Sequence, residues 1–309
     1  MSSKIEGYRV EKIPTPRNEP VHRTAIRLVK KEFRIIRDGL ISGLSDSFLL
    51  LKRTFVPQEV DRGIKPQTEW FAIEPDNPNG KAILLCHGFG ATPEIYRELA
   101  PQLAAQGYYV QAIRLSGHGT SLGHLAKTTA VEWFASVVWH YKQVAKQYDD
   151  ITYIGHSLGG TLGMILATIY PLSSIICMCS PVELDIPPAK FVREASILVK
   201  YWPRSRGKRK AIEANNLSSY PASPLYAIGG IFDATQMLRE RADKLTLPML
   251  YVSARKDHKT LLVQPQKIEK YLTSTPVTIK HAENSPHSLL QGPEKDMVAD
   301  WIKDWLAEH

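Results

Sequence analysis

The sequence predicts an α/β protein: a mostly parallel β-sheet with helices on both faces and a small helical cap over one end. Three observations carry this. From about residue 66, apolar runs of strand length alternate with amphipathic runs of helical length. One junction of this kind, "ITYIGHSLGG" at 151–160, sets Ser157 between Gly155 and Gly159. The alternation lapses over 185–243 and then resumes.

In chain order, "TEWFAIEP" reads as a strand, and "DNPNG" after it as a turn of the kind that joins hairpin strands. "KAILLCHG" is a short continuous apolar run, as in a strand buried on both faces. "TPEIYRELAPQLAAQG" is helical and stops at Gly107. "YYVQAIRL" is a strand, "AVEWFASVVWHYKQVAKQY" a long amphipathic helix, "DITYIGHS" a strand, "LGGTLGMILATIY" a helix and "SSIICMCS" a strand. After the lapse come "PMLYVSA" (strand), "QPQKIEKYLTS" (helix), "PVTIKHAE" (strand) and "PEKDMVADWIKDWL" (helix). The chain therefore divides into an N-terminal extension (1–65), a core (66–184 and 244–309) and an insertion (185–243). The insertion is rich in aromatics, prolines and positive charge. An insertion at the C-terminal edge of a parallel sheet overlies the crevice where such sheets bind ligands, so it reads as a cap.

Composition bounds the function. Of the 309 residues, 43% are hydrophobic and 23% charged, ordinary values for a globular chain. The longest apolar stretch, "LGMILATIYPLSSIICMC", is broken by Pro171 and two serines, which makes it a buried helix and strand rather than a membrane span. The N-terminus has no apolar core of a signal peptide. The three cysteines (Cys86, Cys177, Cys179) read as buried free thiols, which fits a cytoplasmic setting. The net charge of +8 is unevenly placed. Residues 21–40 form a basic amphipathic helix that either packs on its own domain or touches an anionic membrane as a peripheral contact. A second cluster, "RSRGKRK" at 204–210, reads as a solvated loop or an anion-attracting patch. No zinc-finger spacing, RNA-binding motif or basic repeat points to nucleic acid.

The chemistry rests on four elements, each at the end of an expected strand. Ser157 on a strand-to-helix turn would be lifted above the sheet as a nucleophile. "LLCHGFGAT" would supply an oxyanion site, with the Phe89 N–H flanked by Gly88 and Gly90, and the Leu158 N–H as second donor. An acid follows "PMLYVSARKD" at Asp257; Asp185 and Asp233 are rival positions. A histidine follows the last strand. His287 lies in the loop and is preferred as general base over His281, which falls on or beside the strand. His156 is read as a bystander pointing away from the serine, and His258 as a surface-loop residue. No H-E-x-x-H or C-x-x-C spacing suggests a metal, and no cofactor is expected.

With the order Ser157, Asp257, His287, the chain resembles the α/β-hydrolase superfamily over about residues 66–309. "ILLCHGFGATPEIYRELAPQLAAQGYYVQAIRLSGHGTS" and "TTAVEWFASV" are similar to the bacterial carboxylesterases and monoacylglycerol lipases. Two details differ. Ser116 stands where that group commonly has proline before Gly-His-Gly, and His156-Ser157-Leu158 replaces the Leu-Ser-Met of many of its carboxylesterases. The resemblance implies a small helical cap and a small-molecule ester substrate with one accessible, apolar acyl chain. The alternatives that keep the same triad are a lysophospholipase, a thioesterase and an acyltransferase.

Overall fold

The computed structural model describes residues 67–184, 189–203, 218, 220, 222–257 and 264–309. The basic helix at 21–40, the "RSRGKRK" cluster, Asp185 and His258 lie outside these residues.

Seven strands make one sheet: β1 (Phe71–Ile73), β2 (Lys81–Cys86), β3 (Tyr109–Ile113), β4 (Asp150–His156), β5 (Ser174–Met178), β8 (Met249–Ala254) and β9 (Val277–Ala282). Their order is β1-β3-β2-β4-β5-β8-β9. Only β1 is antiparallel to its neighbour; every other pairing in this sheet is parallel. The expected β1–β2 hairpin does not form. β3 lies between the two strands, with Phe71 opposite Ala112 and Cys86 opposite Ile113. The turn's Asn79 is held instead by its own neighbourhood. Its N–H donates to Gly107 O at 2.9 Å, and its side-chain oxygen accepts from Lys81 N at 2.9 Å.

The sheet divides the core into two layers, and β2 shows why a continuous apolar run suits its central position. Ala82, Leu84 and Cys86 face one layer, Ile83 and Leu85 the other. The helices on the first face are α3 (Ala130–Val144), α4 (Leu158–Ala167), α6 (Leu225–Arg239) and α7 (Gln264–Tyr271); α1 (Leu99–Ala104) and α8 (Lys295–Glu308) cover the second. A short α2 (Leu122–Leu125) follows β3. α3 starts at Thr129, whose N–H donates to Glu132 Oε2 at 2.9 Å, a reciprocal device that satisfies an otherwise orphaned donor.

Within 185–243 the described elements are α5 (Ala189–Leu198), the short antiparallel pair β6 (Tyr201–Pro203) and β7 (Ala222–Pro224), and α6. The sequence pattern did not signal β6 and β7, because strands of three residues carry too little alternation to register. α6 buries Ala227, Gly230, Ala234 and Leu238 against the core. It approaches α3 so closely that a Cβ on Gly230 would lie 2.9 Å from the Trp133 ring. Tyr220 ties the same segment to the turn after β3: its hydroxyl donates to Gly117 O at 2.8 Å and accepts from Thr120 N at 3.0 Å. Leu198 and Trp202 stand exposed.

Candidate active site

β4 ends at His156, α4 begins at Leu158, and Ser157 makes the turn with φ 54° and ψ −122°. A left-handed φ is costly for a residue with a side chain and persists only where its surroundings enforce it. Here they do: Ser157 N–H donates to Met178 O at 2.7 Å, and Ser157 O accepts from Gly160 N at 3.0 Å. The flanking main chain is equally constrained. A Cβ on Gly159 would lie 2.2 Å from Cys86 O, so α4 can start beneath the end of β2 only with glycine there.

That contact brings the loop after β2 against the serine. A Cβ on Gly88 would lie 2.9 Å from Ser157 Cβ. The next peptide, between Gly88 and Phe89, is oriented by His87. Leu115 N–H donates to His87 Nε2 at 3.2 Å, so the ring proton sits on Nδ1, which donates to Gly88 O at 2.9 Å. Ala91 N–H reaches the same oxygen at 3.1 Å. There is no cis peptide among the described residues. In a trans peptide C=O and N–H point in opposite senses, so fixing Gly88 O aims the Phe89 N–H the other way. Burial holds His87 well below the usual histidine range, with His118 adding to the effect. The His118 ring lies 5.0 Å away and donates from Nδ1 to Ser116 O at 3.0 Å; burial lowers it to about 4. Both rings are therefore neutral. Sequence reasoning assigned neither a role. The "HGFG" and "SGHG" strings held the signal, but their partners sit on other elements.

Asp257 follows β8 in a short turn, its N–H donating to Ala254 O at 3.2 Å, and it is 1% exposed. His287, in the loop after β9, donates from Nδ1 to Asp257 Oδ2 at 2.6 Å, and a quarter of its side chain meets solvent. Of the rival positions, His281 lies on β9 with its ring on Ser253 Oγ, and Asp233 sits on α6. Cys179, just past β5, has φ 48° and is buried. Its sulfur lies within 4.8 Å of an Asp257 oxygen and a His287 ring nitrogen. Burial, and then the Asp257 charge, push its thiol up, so it backs the pair as a neutral group. The three side chains thus gather one sulfur, one carboxylate and one imidazole at the C-terminal edge of the sheet.

His156, read from the sequence as a bystander, makes a long-range contact in the fold. Its Nε2–H donates to the carbonyl oxygen of His287 at 2.8 Å, and the two rings are 4.8 Å apart. The imidazole thus reaches the main chain of the loop that carries His287.

A mostly parallel seven-stranded sheet, a strained serine between strand and helix, and an Asp–His pair past the last two strands define the α/β-hydrolase fold in its serine-hydrolase form. The chain belongs to the Hydrolase_4 family (serine aminopeptidase, S33), whose profile matches residues 77–294. It is 25% identical over 227 residues to a carboxylesterase of Bacillus subtilis (strain 168), covering 73% of this chain and 92% of that protein. It is 28% identical over 230 residues to a thermostable monoacylglycerol lipase of Bacillus sp. (strain H-257), covering 74% and 90%. Among solved structures, one from a study of LipS and LipT, two metagenome-derived lipolytic enzymes, matches the fold with a TM-score of 0.70 and 21% identity, covering 80% of this chain and all of the other. No helix among the described residues is long and apolar enough to cross a membrane.

Proposed function

We propose that the protein hydrolyses carboxylic esters through an acyl-enzyme on Ser157, as a carboxylesterase or monoacylglycerol lipase would, with substrates that carry one apolar acyl chain. The observation that carries this reading is the 2.6 Å bond from His287 Nδ1 to the buried Asp257 carboxylate. It holds the imidazole in the tautomer whose Nε2 accepts a proton. Ser157 Oγ attacks the ester carbonyl and passes its proton to His287 Nε2. Asp257 supports the imidazolium. The tetrahedral oxygen takes hydrogen bonds from the Phe89 and Leu158 N–H groups. His287 then protonates the leaving alkoxide, and water enters by the same route to release the acid. The apolar acyl chain is suggested by the similarity to a carboxylesterase and a monoacylglycerol lipase.

The test is hydrolysis of p-nitrophenyl esters of increasing chain length, with a thioester and a lysolipid in parallel. Ser157→Ala is expected to abolish turnover. Asp257→Asn is expected to lower kcat by about 10⁴, through loss of the correct tautomer. A fully active Ser157→Ala ends the nucleophile assignment; thioester turnover well above that of the esters ends the ester assignment, and lysolipid turnover well above that of simple esters moves the substrate to lysophospholipids.

A further inference from the structure

The loop that carries His287 is fastened at two further points, both through Ser285. This residue is completely buried. Its carbonyl oxygen accepts from Lys256 N at 3.2 Å, the residue directly before Asp257. Its hydroxyl donates to Glu294 Oε2 at 2.6 Å, and the same carboxylate oxygen accepts from Asn284 N at 2.9 Å. Around this centre the acid and base loops are joined again. Arg255 N donates to Ala282 O at 2.9 Å, and Lys256 Nζ donates to Asn284 Oδ1 at 3.2 Å. The two loops thus form one stitched unit, and Glu294 ties that unit to α8.

Glu294 is suited to this task. It is the residue from which α8 starts, its own carbonyl accepting from Val298 N at 3.0 Å. The positive end of a helix favours a carboxylate there. The Ser285 hydroxyl, first among several donors, draws the Glu294 carboxyl below the usual carboxylate range, so it is an anion at neutral pH. Charge-assisted bonds of this length are stiffer than neutral ones. The rigid strand β9 ends at Ala282, and the imidazole needed for proton transfer lies five residues beyond it. Without the Glu294 bonds, Asn284 and Ser285 lose their tie to the helix, and the Asp257–His287 contact loses one of its supports.

We propose that Glu294, acting through Ser285, is a positioning residue that sets the His287 imidazole between Asp257 and Ser157. This rests on the hydrolase reading of Ser157. The experiment therefore begins by requiring that wild type turns over a p-nitrophenyl ester and Ser157→Ala does not; failure there is failure of that reading and not of this one. Glu294→Ala, Glu294→Gln, Ser285→Ala and the double variant Ser285→Ala/Glu294→Ala are then compared, with concentrations set by active-site titration. Glu294→Ala and Ser285→Ala should each lower kcat roughly tenfold with KM nearly unchanged, because binding does not need the base but proton transfer does. The double variant should lose no more than the worse single variant, since Glu294→Ala already removes the bond that Ser285→Ala breaks. Glu294→Gln should keep most of the activity, because an amide oxygen still accepts from Ser285 and Asn284. Wild-type kcat in a folded Glu294→Ala or Ser285→Ala overturns the proposal. So do losses that multiply in the double variant, or a Glu294→Gln no better than Glu294→Ala. Should Glu294→Ala fail to fold, Ser285→Ala and Glu294→Gln decide alone.

Discussion

His156 and His287 are joined by a hydrogen bond from an imidazole to a main-chain carbonyl, 2.8 Å long and spanning 131 positions of sequence. The residue before Ser157 therefore holds the backbone of His287. The proposed nucleophile and base are not independent parts on separate loops. His156→Ala removes one hydrogen bond, worth about 1 kcal/mol. If that support is felt fully in the transition state, kcat falls roughly fivefold. Steady-state kinetics on a soluble ester check this, and a kcat equal to wild type shows the bond to be irrelevant to turnover.

The Gly88–Phe89 peptide, proposed as an oxyanion donor, is held by His87. His87 accepts from Leu115 N and donates to Gly88 O, so His87→Ala strands a buried donor and frees the Gly88–Phe89 peptide. A stranded donor costs about 1–3 kcal/mol in stability. Loss of one oxyanion donor costs about 10²–10³ in kcat, which bounds the effect of misaiming it. A drop of roughly tenfold or more per titrated active site is expected. Unchanged kcat beside a lowered denaturation midpoint would leave His87 as packing only.

Acid should destabilise the fold through its buried imidazoles. Burial lowers His118 to about 4 and His140 to about 3, from an ordinary 6.5. Between the lowered and the ordinary value the unfolded chain binds more protons than the folded one. Stability is therefore whole above about pH 6.5 and is lost progressively as pH falls toward 4. At about 1.4 kcal/mol per pKa unit, His118 alone accounts for about 3 kcal/mol by pH 4. That is a large share of a typical total of about 5–15 kcal/mol. Urea midpoints at stepped pH values read the slope, and His118→Gln, which cannot take up a charge, should flatten it. A slope unchanged in that variant would assign the acid sensitivity elsewhere.

The residues of the candidate site drew notice in the sequence because they sit where local pattern changes. An apolar strand run met glycine, serine and a helical period at 155–160, and Asp257 and His287 each followed a strand-like run by a few residues. The supporting parts were not legible. His156 bonds to a carbonyl 131 positions away, and His87 accepts from a main-chain N–H 28 positions away. Hydrogen bonds of that span leave no periodic trace. The β1–β2 turn misled for the same reason: its local chemistry was that of a hairpin, while the neighbour of β1 was set by which apolar faces met across the whole sheet. Short strands such as β6 exist only through their partner, and a single-sequence pattern has no view of the partner.

Trp133 has Gly230 of α6 against its ring on one side and Phe89 and His118 on another. A glycine at the first contact leaves the indole no room to yield. α6 and the loop after β2 thus both pack on one indole. Any ligand that shoulders α6 outward, or any side chain added at position 230, shifts the bearing on which Phe89 rests. Under the proposed hydrolysis, a change at α6 and the reception of the carbonyl oxygen at Phe89 would then be adjusted together rather than separately.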